Sequence, residues 1–169
     1  KDVQPKISDL AIDIGAGSKV EAEKLVSAGD FCYFRSEYEE FGDGFIKGKA
    51  LDDRAGCAML LCLLQNEPEY DFYAVFTVQE EIGTRGAAAA AFSVKPDMAL
   101  VLETTTACDI AGVDGDKKVC ELGKGAVVSY MDRATIYDRE LYQLAFGTAK
   151  ELDIPCQTKT VVAGGNDSG

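Results

Sequence analysis

Apolar and polar positions recur along the chain in two alternating rhythms, one that suits strands and one that suits helices. "ISDLAIDIG" (residues 7–15) alternates in part with the two-residue period of a strand. "GSKVEAEKLVSAGD" (residues 17–30) reads as a short helix. Ser18 is its N-cap, with Glu21 three residues on as a capping-box partner. Val20, Ala22, Leu25 and Val26 form an apolar stripe, and Gly29 is the stop. "FCYFRSEYEEFGDGFIKGKA" (residues 31–50) returns to short strands with a turn at residues 42–44. Residues 1–50 therefore predict a small β-rich unit with one helix.

The character changes at Leu51. "DRAGCAMLLCLLQNE" (residues 53–67) is apolar nearly all round, which predicts a helix buried on several sides. "YDFYAVFTVQ" (residues 70–79) is aromatic and β-branched, as a core strand is. "GAAAAAF" (residues 86–92) predicts a thin helix able to pack close to a sheet. "DMALVLET" (residues 97–104) and "GAVVSYMD" (residues 125–132) predict two further strands. "YDRELYQLAFGTAKELD" (residues 137–153) predicts an amphipathic helix with Leu141, Leu144, Ala145, Ala149 and Leu152 on or near one face. "CQTKTVVAGG" (residues 156–165) is a last strand. Strands that alternate with helices imply an α/β layered fold with a largely parallel sheet.

Composition narrows the function classes. With 169 residues, the chain is long enough for one domain, or one and part of another. The longest apolar stretch, near residues 55–64, is about half the ~20 residues a membrane span needs. The polar residues 1–6 predict no secretory leader at this end. A net charge of −12 argues against a nucleic-acid partner, because phosphate backbones attract basic surfaces. Six cysteines, Cys32, Cys57, Cys62, Cys108, Cys120 and Cys156, form no Cys-x-x-Cys pair. Cys57 and Cys62 read as small core residues. Reduced thiols and a cytoplasmic protein are expected, since a chain with a full core does not need disulfides. There is no histidine. A Ser-His-Asp triad, a Cys-His pair and a His-rich metal site are thereby excluded within these residues, and chemistry must use carboxylates or borrow histidine from elsewhere.

Acidic residues stand at four successive element junctions, where ligands bind in α/β sheets. Asp52 and Asp53 precede the apolar helix, Glu80 and Glu81 end the next strand, Glu103 ends the one after, and Asn166 and Asp167 follow the last. Two adjacent carboxylates in one cleft repel, and one tends to take up a proton. A divalent cation removes the conflict and suits carboxylate oxygens. One glutamate can then ligate metal while the other accepts a proton from water, the pattern of metal-assisted hydrolysis. Arg54, expected to be buried beside Asp52 and Asp53, reads as their neutralising partner. Asp109 reads as a turn or cap residue, and Asp132 with Arg133 as a pair without an assigned substrate role. The plainer reading of Glu80 and Glu81 is a surface pair with Arg85 as partner.

The blocks "GKALDDRAG" (residues 48–56), "TVQEEIGTRGA" (residues 77–87), "LETTTACDIAG" (residues 102–112) and "GGNDSG" (residues 164–169) together resemble the glutamyl-aminopeptidase family of metal-dependent exopeptidases. These are relatives of the tetrahedral aminopeptidases, some once labelled endoglucanases. The resemblance covers nearly the whole chain. It implies a three-layer α/β sandwich with a mainly parallel mixed sheet at residues 51–169, incomplete at its C-terminal end. It also implies part of a small β-barrel oligomerisation domain at residues 1–50. By position, Asp52 matches a carboxylate that bridges two metal ions, zinc or cobalt. Glu80 matches the general base, Glu81 a ligand of one metal and Glu103 a ligand of the other, where many members carry Asp. Asn166 and Asp167 match a segment near the peptide substrate, with Asn166 in place of a threonine; Asp53 and Arg54 are supporting residues. The family's two histidine ligands and catalytic aspartate fall outside these residues. The chain is thus expected to be an internal stretch of a longer protein, inactive alone, whose whole form assembles into homo-oligomers, often dodecamers. A carboxylate-pair glycoside hydrolase and a non-catalytic oligomerisation or binding relative are the alternatives. The first is weakened by the absence of tryptophan for sugar stacking and by the surplus of carboxylates.

Overall fold

A computed structural model describes residues 4–169; residues 1–3, which open the polar N-terminal stretch, lie outside the described residues. The chain divides into two compact units, Lys1–Tyr38 and Glu39–Gly169.

In the first unit, residues 7–15 do not form a strand. A 3-10 turn spans Ile7–Asp9 and no ladder partner follows among the described residues. Helix α1 spans Lys19–Leu25. Its start follows the capping logic with one change. The Ser18 hydroxyl accepts from the Glu21 amide at 3.3 Å, while the Glu21 carboxylate accepts from the amide of Gly17, one residue ahead of the cap, at 2.8 Å.

In the second unit, β1 (Glu39–Phe41) and β2 (Phe45–Lys47) form an antiparallel hairpin around the turn at residues 42–44. Phe41 and Phe45 meet across it with ring centroids 5.9 Å apart. Helix α2 spans Leu51–Leu64 and α3 spans Arg85–Val94. Strands β3 (Ala126–Val128) and β4 (Cys156–Thr158) pair in parallel, with Ala126 opposite Cys156. Between them runs α4 (Arg139–Glu151), capped by the Asp138 carboxylate, which accepts from the Leu141 amide at 2.9 Å. This strand–helix–strand unit is the crossover that a parallel pair requires. Tyr142 of α4 packs edge-on against Tyr130 at 6.1 Å and lies 4.9 Å from Phe146.

The small core sits beside β3 and β4, at Val119 and Cys120. The Thr160 amide donates to the Val119 carbonyl at 3.0 Å, and the Val119 amide donates to the Ala107 carbonyl at 2.8 Å. The protein is thus α/β with small sheets, and its parallel component is the β3–β4 pair. Residues 70–79 and 97–104 do not form strands, because no ladder partner for their backbone is present among the described residues. Nor is α2 buried on several sides. Gly56 is its one buried residue, and Cys57 and Cys62 are exposed, not core. All six cysteines are free thiols. No helix of the described residues is long and apolar enough to cross a membrane.

Candidate metal centre

Helix α2 begins irregularly, and that irregularity presents its acidic residues. Ala50 adopts a left-handed conformation, and Asp52 and Asp53 have non-helical backbone angles across a cis peptide. Regular helix starts after them. Asp53 is its true N-cap: the Oδ1 oxygen accepts from the Gly56 amide at 2.9 Å, the N3 position. The positive end of the helix dipole therefore faces the two aspartates. Glu103 arrives from the 97–104 segment, with Oε1 accepting from its neighbour's amide, Thr104, at 3.1 Å.

Asp52, Asp53 and Glu103 each place a carboxylate oxygen within 4.8 Å of the others. Close approach of two backbones makes this possible. A Cβ on Gly56 would lie 2.2 Å from Asp53 Oδ2 and 2.6 Å from the Leu102 carbonyl oxygen. Burial pushes the Glu103 carboxyl up to about 8, helped by a hydrogen bond with Asp52 and by the Asp53 charge. Burial also raises the Asp53 carboxyl, and the Asp52 charge adds to it against the Gly56 amide. Three crowded carboxylates, at least one of them holding a proton near neutrality, are a hard-oxygen donor set that fits a divalent cation.

Glu80 faces the same group. Burial raises its carboxyl first, followed by the charges of Asp167, Glu81, Asp52 and Asp53. It sits at a sharp reversal in which the Gly83 and Thr84 amides donate to the Glu80 carbonyl at 2.9 and 2.8 Å. The Gly86 amide then donates to the Val78 carbonyl at 3.0 Å, and a Cβ on Gly86 would lie 2.5 Å from that oxygen. The glycines after the glutamate pair thus serve the reversal and the docking of α3. Glu81 is exposed and lies outside the three-carboxylate group.

Arg54 is exposed, and among the described residues no ion pair joins it to Asp52 or Asp53, so it does not neutralise them. Arg85 likewise makes no ion pair with the glutamates. Asp109 pairs with Lys118 at 2.6 Å and accepts from the Leu122 amide at 3.3 Å, which is structural duty. Asp167 is tied to Thr77, whose hydroxyl donates to Oδ2, while the buried Oδ1 has no partner within the described residues. Asn166 donates to the Tyr137 hydroxyl at 3.0 Å. Two features escape the sequence reading: the cap made by Asp53, which an Asp three residues before Gly56 does signal, and the roles of Thr77 and Tyr137, which nothing local marks.

The family model described as M42 glutamyl aminopeptidase matches residues 1–169. The chain is 35% identical over 164 residues to a lysyl aminopeptidase of Pyrococcus furiosus, covering 94% of this chain and 46% of that protein. It is similar in structure to an aminopeptidase from the archaeon Desulfurococcus kamchatkensis, with a TM-score of 0.88 and 34% identity over 96% of this chain and 47% of that one. A TET1 peptidase of Pyrococcus horikoshii, described as able to assemble into a tetrahedron or a large octahedral shell, shares 28% identity at a TM-score of 0.70, over 98% of this chain and 51% of that one. The chain spans about half the length of the relatives it matches.

Proposed function

The chain belongs to the M42 glutamyl aminopeptidase family, and from that premise we propose that the whole protein is a metal-dependent aminopeptidase that removes N-terminal residues from peptides. The observation that carries this reading is the convergence of Asp52, Asp53 and Glu103 within 4.8 Å, with the raised carboxyl of Glu80 facing them. Asp52, Glu81 and Glu103 would hold two divalent ions, zinc or cobalt, together with histidine ligands supplied from outside these residues, since none is present here. When bound, such ions supply Lewis acidity toward the scissile carbonyl and toward the attacking water. Glu80 accepts the water's proton and later delivers it to the leaving amine. Its raised affinity for protons suits both halves of that shuttle, because a general base works best with a pKa near the operating pH. Asn166 and Asp167 line the substrate side, and Asp53 supports the centre by capping α2 and fixing the Gly56 amide.

Residues 51–169 belong, on this reading, to a zinc-exopeptidase-like three-layer sandwich with a mainly parallel sheet. Residues 1–50 belong to part of a β-barrel oligomerisation domain. The extended segments at residues 70–79 and 97–104 would then find their ladder partners in the rest of the protein. The whole protein is a cytoplasmic homo-oligomer, a dodecamer by analogy with tetrahedral relatives, and the 169 residues alone are inactive. The glycoside-hydrolase alternative is not favoured, because the family model that matches the whole chain is that of an aminopeptidase family, and the curated relatives it resembles are named aminopeptidases.

The test is release of N-terminal amino acids by the whole protein, with and without a chelator, beside Glu80→Gln. Activity should vanish with chelation and return with zinc or cobalt. Glu80→Gln should lower kcat by about 10²- to 10⁴-fold, the range for losing a general base. Full turnover in chelator, or unchanged kcat in the variant, would defeat the reading.

A further inference from the structure

Asp132 lies outside the acidic group and has no part in the chemistry above, yet it is 5% exposed. It follows β3 and precedes α4. Oδ1 accepts from the Ala134 and Thr135 amides, both at 2.8 Å, and Oδ2 accepts from the Tyr137 hydroxyl at 2.5 Å. Burial pushes the carboxyl up. The Tyr137 hydroxyl, the two amides and the Lys159 ammonium outweigh burial and hold it below the usual carboxylate range. Asp132 is therefore ionised and can only accept.

That fact sets the direction of the next bond. A phenol has one proton, and Tyr137 commits it to Asp132. Asn166 meets the phenolic oxygen at 3.0 Å and must donate through Nδ2. Its Oδ1 is then turned to the Ser168 amide, which donates at 2.9 Å. The Gly164 carbonyl accepts from the Arg133 amide at 3.0 Å, and the Gly169 amide donates to the Asn166 carbonyl at 3.2 Å. The Gly164 end of the 164–169 segment is thus held to the Asp132 turn by a backbone bond, and near its other end the Ser168 hydroxyl meets the Tyr137 oxygen at 3.1 Å. Asp167 lies in the middle of it, bonded to Thr77, three residues before Glu80.

We propose that Asp132 is a positioning residue for the hydrolysis: by fixing the donor direction of the Tyr137–Asn166 bond it holds the 164–169 segment, and Asp167 within it, on the side of the centre that Glu80 faces. The inference rests on the aminopeptidase reading and adds to it a group that touches neither substrate nor metal.

The structure suggests an exchange of bond polarity as the test. In Asp132→Asn the new amide donates to the Tyr137 oxygen, so the phenolic proton turns to Asn166, another donor, or to the Ser168 hydroxyl 3.1 Å away, and the Tyr137–Asn166 bond loses its fixed direction. In Asn166→Asp alone, a carboxylate faces a phenol whose proton is already committed. In the double variant, Asp132→Asn with Asn166→Asp, every bond has a donor and an acceptor again with its direction reversed. Made in the whole protein, each single change should lower kcat/KM of N-terminal residue release by about 10- to 100-fold, the scale of a small misplacement in a site. The double variant should recover most of that loss. Hydrogen exchange at the Ser168 amide should quicken in each single variant and slow again in the double. Single variants that match wild type in both readouts, or losses that simply multiply in the double, would overturn the proposal. Should the parent protein release no N-terminal residue, the aminopeptidase reading fails, and exchange at Ser168 still decides the positioning claim. Where Asp132→Asn does not fold, Tyr137→Phe carries the test: quickened exchange at Ser168 is expected, and wild-type protection would overturn it.

Discussion

Thr77 and Asp167 are 90 residues apart in the chain, and the Thr77 hydroxyl donates a hydrogen bond to the Asp167 carboxylate. The bond joins the end of the apolar segment that delivers Glu80 to the segment that Asp132 and Tyr137 hold in place. Thr77→Val keeps the shape and removes the donor. It should lower the stability of the whole protein by about 1 kcal/mol, the net worth of one such bond, read as a shift in urea midpoint. An unchanged midpoint would mean that the bond does not tie the two segments.

Gly56 offers a sharper perturbation. A methyl group there would lie 2.2 Å from Asp53 Oδ2 and 2.6 Å from the Leu102 carbonyl oxygen. Gly56→Ala must therefore push α2 away from the segment that carries Glu103. The expected cost is about 1–3 kcal/mol of overpacking, together with weaker zinc uptake in an isothermal titration. A variant that lost stability but took up zinc like wild type would show that the three carboxylates need not be held this closely.

Protonation of the centre sets a direction for pH. The Glu103 carboxyl, with an ordinary value of 4.5, is pushed up to about 8, first by burial and then by Asp52 and Asp53. Raised affinity for a proton in the folded state stabilises the fold below the ordinary value, and that contribution is lost as pH rises through about 8. For Glu103, then, the metal-free protein should lose stability between pH 5 and pH 8, and Glu103→Gln should flatten the slope in urea unfolding. Adding zinc near pH 7 should release protons into a weakly buffered solution, since carboxylates bind metal in their ionised form. A slope that Glu103→Gln leaves intact would assign the titration elsewhere.

Asp53 and Glu81 separate structural from metal-binding duty. Asp53→Ala removes the α2 cap and should cost about 1 kcal/mol, while leaving the proposed ligand Glu81 in place. Glu81→Gln should leave the unfolding midpoint of the metal-free protein unchanged, because the side chain is exposed, and should weaken zinc binding. The reverse pattern, with Asp53 governing metal and Glu81 governing nothing, would move the ligand role to Asp53.

Much of the local structure could be read from residue order. The cap at Ser18, the hairpin around residues 42–44, the alanine helix α3 and the β3–α4–β4 crossover follow from capping chemistry, turn residues and periodicity. Residues 70–79 and 97–104 show where that reading ends. Valine, phenylalanine and leucine favour a strand, but a strand exists only when a neighbour completes its ladder, and the described residues hold none for them. Most apolar residues of α2 lie exposed although the apolar run predicts burial, because a helix buries its faces only against elements that pack on them. The order of acidic residues points to Asp52, Glu81 and Glu103 as ligands; Asp52 and Glu103 converge with Asp53, while Glu81 lies outside that group. That order could not mark the Thr77–Asp167 bond or the Asp132–Tyr137–Asn166 chain, because polar pairs far apart in sequence leave no local period. Arg54 shows the opposite error: a charge next to two aspartates in sequence is exposed and makes no ion pair with either, because sequence adjacency at an irregular helix start does not make side chains face one another.

The central claim is that Asp52, Glu81 and Glu103 hold divalent ions beside Glu80. Its most direct test is anomalous diffraction at the zinc edge from crystals of the whole protein grown with zinc. The account predicts two adjacent peaks within coordination distance, about 2.0–2.2 Å for a carboxylate oxygen on zinc, with Asp52 between them and Glu81 and Glu103 on either side. Peaks that avoid these three carboxylates, in a protein that is active in the same zinc, would contradict it.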